Sequence, residues 1–366
     1  MFVYATLSRL YLLIISILSP LFLPLYQGYL GKELLSSPYF LWSWANFDGR
    51  HYIEIAQIGY RRFNYVFFPG YPILIKLLSL LFHPVISGIT ISLVCFFLLV
   101  KYLNKLILLD YKKNISQLAI LLLIFFPTSF YFQSVYTESL FVLLSVLTFY
   151  FARQKKWLQS GIAAGLLTLT RHSGLAIIPA LFAEWYFSKK HPRKINLKEI
   201  IKELLPMLFL AFLGFAIFLL YLQITRGDAL IFKKSFSAWG RQEFTFLPVV
   251  FYRYFKILIL VNPHELVYWI AVLELVSFIF LLTLSIYTIF KVRISYAVFC
   301  LTTLFLSSLS GTFLGTPRYA LHLFPVFIAL SQILLKKKGA KQFTIGVFLI
   351  LGFLLTVLFT RGYFVS

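Results

Sequence analysis

Residues 84–109 read PVISGITISLVCFFLLVKYLNKLILL, with no charge before Lys101. Wound as one helix, this run is about 39 Å long, enough to cross a hydrocarbon layer of about 30 Å. Comparable apolar runs occupy 7–26, 115–132, 137–151, 157–170, 172–187, 201–225, 264–290, 294–311, 317–335 and 343–360. They predict about eleven transmembrane helices, two or three of them short, and an all-α polytopic membrane protein. Residues 69–82 are apolar but open on Pro69 and Pro72 and carry Lys76; 249–260 carries Arg253 and Lys256. Both are expected to lie in the interface. With 60% of its 366 residues hydrophobic and 13% charged, the chain is not a soluble domain.

The formal charge of +22 does not point to nucleic acid, because the basic residues gather between the apolar runs. Anionic membrane lipids and lipid phosphates are the partners such a pattern suits. With the N-terminus in the cytoplasm, Arg9, Lys101 to Lys113, Arg153 to Lys156, Lys189 to Lys202, Lys291 with Arg293, and Lys336 to Lys341 fall inside. These are 20 of the 34 basic residues. A first external loop then covers 27–83 and a second 226–262. The first span lacks a small-residue cleavage site and is expected to stay in the protein. Cys95 and Cys300 lie in apolar runs, which supports neither a disulfide framework nor a cysteine metal site. Without a fixed-period repeat or a polar linker, residues 1–366 read as one membrane domain.

The external side receives the residues with chemistry. Residues 44–60 read WANFDGRHYIEIAQIGY. If a helix starts near Asn46 as its N-cap, Trp44, Asp48, His51 and Tyr52 share a face. Asp48 would stand in the first turn, where backbone N–H groups attract negative charge, which suits a base. Alone, Asp48 and Arg50 could equally be a charge pair solubilising a loop. Glu138 in QSVYTES (133–139) is a second candidate acid, although Thr137 and Glu138 also make an ordinary helix start. Arg171-His172 and Arg318-Tyr319 interrupt apolar runs, where single arginines often only anchor a helix end. Lys233, Lys234 and Arg241 flank Trp239 in the second loop, with aromatics suited to the head-group level. Glu274 lies within a span, and no partner for it is readable.

The pattern W-x-x-x-D-x-x-H-Y-x-x-I-A-x-x-G-Y, followed by Phe67-Phe68-Pro69-x-Tyr71-Pro72, resembles the first external loop of the PIG-V family. That family comprises the second mannosyltransferase of glycosylphosphatidylinositol anchor synthesis and prokaryotic relatives, and belongs to the GT-C membrane glycosyltransferases. One departure is that Ala45, Asn46 and Phe47 separate Trp44 from Asp48, where eukaryotic members place Trp and Asp together. The Tyr136-Thr137-Glu138-Ser139-Leu140-Phe141 turn, Thr170-Arg171-x-x-Gly174 and Arg318-Tyr319 are similar to further family motifs.

The resemblance implies a GT-C fold and transfer of a hexose, mannose foremost, from a polyprenyl-phosphate donor. The acceptor is a hydroxyl on a lipid, glycan or protein, and the anomeric centre inverts. It implies Asp48 as catalytic base, with His51 and Glu138 beside it. Trp44, Arg50, Tyr52, Tyr136, Arg171, His172, Lys233, Trp239, Arg241, Arg318 and Tyr319 become substrate-binding candidates. The residues show no HExxH, CxxC, P-loop or GxGxxG pattern, so no protein metal cage or nucleotide site is expected. A divalent cation, Mg or Mn, held by Asp48 or Glu138 stays open. The expected location is a prokaryotic plasma membrane, or the endoplasmic reticulum in a eukaryote, with the site external or lumenal. The alternative from another class is a transporter or flippase of lipid-linked saccharides.

Overall fold

The computed structural model describes residues 1–26, 38–61, 63–189, 196–241 and 244–365. Parts of both expected external loops (27–37, 62, 242–243) and the basic stretch 190–195 lie outside the described residues. In chain order the α-helices are α1 (Phe2–Leu18), α2 (Tyr39–Trp42), α3 (Asp48–Ile58), α4 (Gly70–Leu78), α5 (Pro84–Ile107) and α6 (Lys113–Ile124). Next come α7 (Glu138–Arg153), α8 (Trp157–Thr170), α9 (Ile177–Phe187), α10 (Leu197–Glu199), α11 (Leu205–Arg226) and α12 (Ile231–Ser235). The last six are α13 (Leu247–Leu260), α14 (Leu266–Lys291), α15 (Ile294–Ser308), α16 (Thr316–Tyr319), α17 (Phe324–Leu334) and α18 (Ala340–Thr360). No strand occurs among the described residues.

Five helical stretches are long and apolar enough to cross a bilayer: Phe2–Leu21, Pro84–Ile107, Leu197–Arg226, Leu266–Lys291 and Ala340–Thr360. The other expected spans fall on α6, α7, α8, α9, α15 and α17, which run from 11 to 16 residues. An 11-residue helix rises only about 17 Å. Several of these apolar runs therefore include irregular backbone: 172–176 is a 3-10 segment before α9, and 320–323 separates α16 from α17. The two expected interfacial helices are present as α4 and α13.

The chain divides into two compact units. One holds Met1–Tyr60, Pro69–Val146 and Leu330–Val365; the other holds Arg61–Phe68 and Leu147–Ala329. In the first, α6 stops at Ile124 and an irregular, buried stretch follows to Thr137. Its carbonyls need partners away from water. Arg9 supplies two of them, donating from Nη1 to Ser129 O at 2.8 Å and from Nη2 to Ile124 O at 3.3 Å. Its guanidinium also lies 4.4 Å from the centre of the Phe96 ring. Arg9 is thus a buried charge rather than a solvent-facing one. It is buried along α1, where Nη1 and Nη2 answer two carbonyls and Nε donates to Ser8 Oγ.

In the second unit, α8 and α11 meet backbone to backbone. A Cβ on Gly214 would stand 1.8 Å from Gly165 O, and one on Gly165 would stand 2.4 Å from Leu210 O. Small residues allow this approach, and the Thr168 hydroxyl uses it, donating to Ala211 O at 2.9 Å. Elsewhere in the unit, buried Glu184 on α9 accepts from Arg293 Nε and Nη2 at 2.7 and 2.8 Å and from the Ser295 hydroxyl. Two-pronged pairing of this kind fixes the α14–α15 corner against α9. Glu274, without a readable partner in sequence, accepts from the Tyr254 hydroxyl, which in turn accepts from the Phe313 N–H.

Gly214→Ala should lower stability by about 3 kcal/mol, the upper range for overpacking, because backbone rather than a movable side chain opposes the methyl. Thermal unfolding in detergent checks this; an unchanged midpoint would mean that the α8–α11 contact is not formed.

Candidate functional site

The Trp44 stretch and the Tyr136 turn, far apart in sequence, are one structure in the first unit. Val135 N–H donates to Trp44 O at 2.9 Å, and the Tyr136 hydroxyl donates to Asn46 O at 3.0 Å. The same hydroxyl accepts from the Asp48 N–H at 3.2 Å. Tyr136 thus holds the backbone of the first turn of α3, the helix that opens on Asp48. Gly49 lets α3 come this close, since a Cβ there would lie 3.2 Å from Val135 O.

Asn46 is not the N-cap expected from sequence. The residue before the helix is Phe47, in a left-handed conformation with φ of 55°, and Asn46 Nδ2 instead donates to Phe359 O at 2.8 Å. A Phe in this region costs about 1–3 kcal/mol. It is held there by ring contacts with Phe359 and Phe364, at 5.8 and 5.7 Å between centres. Trp44, Tyr52 and Tyr136 are buried, and the Tyr52 and Tyr136 rings meet edge-on at 6.4 Å between centres. His51 lies 3.8 Å from Glu54 through Nδ1. Burial lowers the His51 pKa below 6.5 more than Asp48 and Glu54 raise it, which favours a neutral imidazole at pH 7. Glu138 is buried and is the first residue of α7.

The basic candidates of the second unit also converge, around Tyr319. The guanidinium carbons of Arg171, Arg318 and Arg241 lie 5.3, 5.4 and 5.9 Å from its ring centre. Arg241 Nη2 donates to the Tyr319 hydroxyl at 2.9 Å and to Leu314 O at 3.2 Å, while its Nη1 donates to Ser310 Oγ at 3.2 Å. His172 lies in the 3-10 turn after α8, its ring edge-on to Phe236 at 5.0 Å between centres.

Arg241 and His172 line a cavity of about 940 Å³ together with Lys233, Lys234 and Ser310. Its remaining walls are largely apolar, including Phe215, Phe232, Phe236, Phe244, Leu306 and Leu309. Trp239 stands beside the same segment, its Nε1 donating to Phe63 O at 2.8 Å and its ring edge-on to Phe67. A smaller polar cavity of about 10 Å³ lies among His172, Ser173, Thr303, Ser307, Tyr319 and His322, room for a single water.

The family model described as Mannosyltransferase (PIG-V) matches residues 3–254. The chain belongs to this family. It is accordingly a membrane glycosyltransferase of the mannosyltransferase type. The matched residues of the PIG-V family include Asp48, Glu138, Arg171 and Arg241, and stop short of Arg318 and Tyr319. Comparison with curated proteins and with solved structures finds no match for this chain.

Several features of this PIG-V family chain are not readable from sequence. Phe215, Leu306 and Ser310 lie far from any motif, and their place in the cavity depends on helix packing. Phe232 and Phe236 carried a faint signal, one helical turn apart and flanking Lys233 and Lys234. Asp48, Arg50 and His51 lie together on α3, as expected. Among the described residues no group of three or more His, Cys, Asp or Glu side chains is placed to hold a metal ion.

His51 titrates lower in the folded chain than its ordinary 6.5, so the unfolded chain binds the extra proton first. Its contribution to stability is fully present above about 6.5 and is lost as pH falls below that value. His51→Gln should flatten this part of the curve of unfolding midpoint against pH; an unaltered curve would show that His51 is as solvated folded as unfolded.

Proposed function

We propose that this chain is a GT-C-type mannosyltransferase that takes its sugar from a polyprenyl-phosphate donor and passes it to a hydroxyl of a lipid, glycan or protein. The observation that carries the donor class is the cavity walled by Phe215, Phe232, Phe236 and Phe244 and edged by Arg241, Lys233 and Lys234. A sugar nucleotide would leave such apolar walls unused, whereas a lipid chain fills them and a phosphate meets the cations. The alternative of a saccharide translocator finds no support in the family.

In this reading the reaction is a single displacement. The acceptor oxygen attacks the anomeric carbon, its proton passes to the Asp48 carboxylate, and the bond from that carbon to the phosphate oxygen breaks with inversion. The bonding pair leaves on the lipid phosphate, whose charge Arg171, Arg241 and Arg318 hold. His51, kept neutral by burial, can share a hydrogen bond without adding a charge that would compete for the base. Glu138 and Arg50 orient the acceptor side. Trp44, Tyr52 and Tyr136 keep Asp48 in position from behind, His172 and Tyr319 shape the cation group, and Lys233 and Trp239 receive the donor head group. The expected arrangement of the chain is a single domain of about eleven spans with a cytoplasmic N-terminus, the Trp44 stretch and residues 226–262 being external.

Asp48→Asn keeps the shape and polarity of the side chain and removes its proton affinity. Turnover should fall by about 10² to 10⁴ with donor binding little changed. Glu138→Gln should do less damage. Should Asp48→Asn keep most activity while Glu138→Gln abolishes it, the base is another group.

For the cations, Arg171→Ala or Arg318→Ala should weaken binding of the lipid-phosphate donor by about 1.5–3 kcal/mol and leave the acceptor largely unaffected. Equilibrium binding of a labelled polyprenyl-phosphate sugar measures this. Wild-type donor affinity and turnover in both variants would reduce these arginines to helix anchors.

A further inference from the structure

The first unit carries a second basic recess, formed where α1, α5 and α6 end near one another. Its volume is about 500 Å³, and it is lined by Lys101, Lys105 and Lys113 with Phe2, Val100 and Leu108. None of these residues belongs to the reaction proposed above. Lys101 and Lys105 are one turn apart on α5, and their ammonium groups lie 5.9 and 5.4 Å from the centre of the Tyr102 ring, which gathers them on one side. Lys113 opens α6, a 12-residue helix whose first turn has no acidic residue and no side-chain cap. A cation at that end is unfavourable by itself, because the helix N-terminus is already positive. An anion in the recess would relieve both. Asn104, also in the lining, accepts the Ser116 hydroxyl on its carbonyl oxygen at 2.8 Å, so its amide offers N–H donors. Residues 84–137 contain four lysines and a single acid, Asp110.

An anion alone would explain the lysines but not the walls. Phe2, Leu108 and the neighbouring Val3 and Leu109 are exposed apolar side chains continuous with the recess. We propose that this recess binds an anionic phospholipid, the phosphate of its head group resting among Lys101, Lys105, Lys113 and the α6 N-terminus, and an acyl chain lying along Phe2 and Leu108. In the orientation proposed above, the lipid belongs to the inner leaflet.

Native mass spectrometry of the full chain in detergent tests this, with phosphatidylglycerol and phosphatidylcholine as the two probes. The wild type should retain phosphatidylglycerol over phosphatidylcholine. K101Q/K105Q/K113Q should lose that preference by roughly tenfold or more, and K101R/K105R/K113R should keep it. Millimolar inorganic phosphate should not displace the lipid. Equal retention by the wild type and the glutamine variant, loss in the arginine variant, or displacement by free phosphate would each overturn the proposal. The readout involves no sugar transfer, so it stands or falls separately from the reaction.

Discussion

A backbone group that leaves a helix within an apolar protein interior must find its partner inside the protein, and the first unit is built around this constraint. Residues 125–137 are the pressure point, because they abandon the helix while nearly all are buried. Arg9 answers the carbonyls of Ile124 and Ser129, Ser92 those of Ser134 and Tyr136, and Trp44 the N–H of Val135. Ser92 is itself held by the Tyr71 hydroxyl at 2.8 Å. Each uncompensated group would cost several kcal/mol in such surroundings. The irregular stretch therefore has one stable path, and that path is what brings the Tyr136 hydroxyl to the start of α3.

The second unit works on charge rather than on backbone. Three guanidiniums gather about one phenol, with the His172 imidazole and apolar walls beside them. Low-dielectric surroundings lengthen the reach of a charge, so the group is strongly attractive to an anion and mutually repulsive without one. The phenol moderates the repulsion: its oxygen accepts from Arg241 and its ring faces all three cations.

Much of this could be read from residue order. Long apolar runs declared the helical membrane class, and the five helices of crossing length confirm it. The acid-aromatic motif and the Tyr136 turn were visible as separate spots, but their hydrogen-bonded union was not, because nothing in the local pattern encodes a contact across some ninety positions. Asn46 misled for a related reason. Asn is a good cap by propensity, yet a distant carbonyl, Phe359 O, claimed its amide, and Phe47 took the turn at a conformation no propensity scale favours for it. Arg9 was counted among the cytoplasmic charges, and its burial against the carbonyls of Ile124 and Ser129 was not legible, because charge patterning does not foresee a helix that ends inside the protein. The cavity walls were the least legible, since Phe among 42 Phe carries no information until packing selects it.

The glycine contact between α8 and α11 has a mechanical consequence. Arg171 is the residue directly after α8, and α8 cannot slide or roll on α11 without driving backbone into backbone. That arginine is a fixed post. Arg241, by contrast, hangs from a run of four- and five-residue helices and keeps its place through three side-chain hydrogen bonds to Ser310, Leu314 and Tyr319. The cation group thus pairs a member fixed by backbone packing with one whose place is set by its side-chain partners alone.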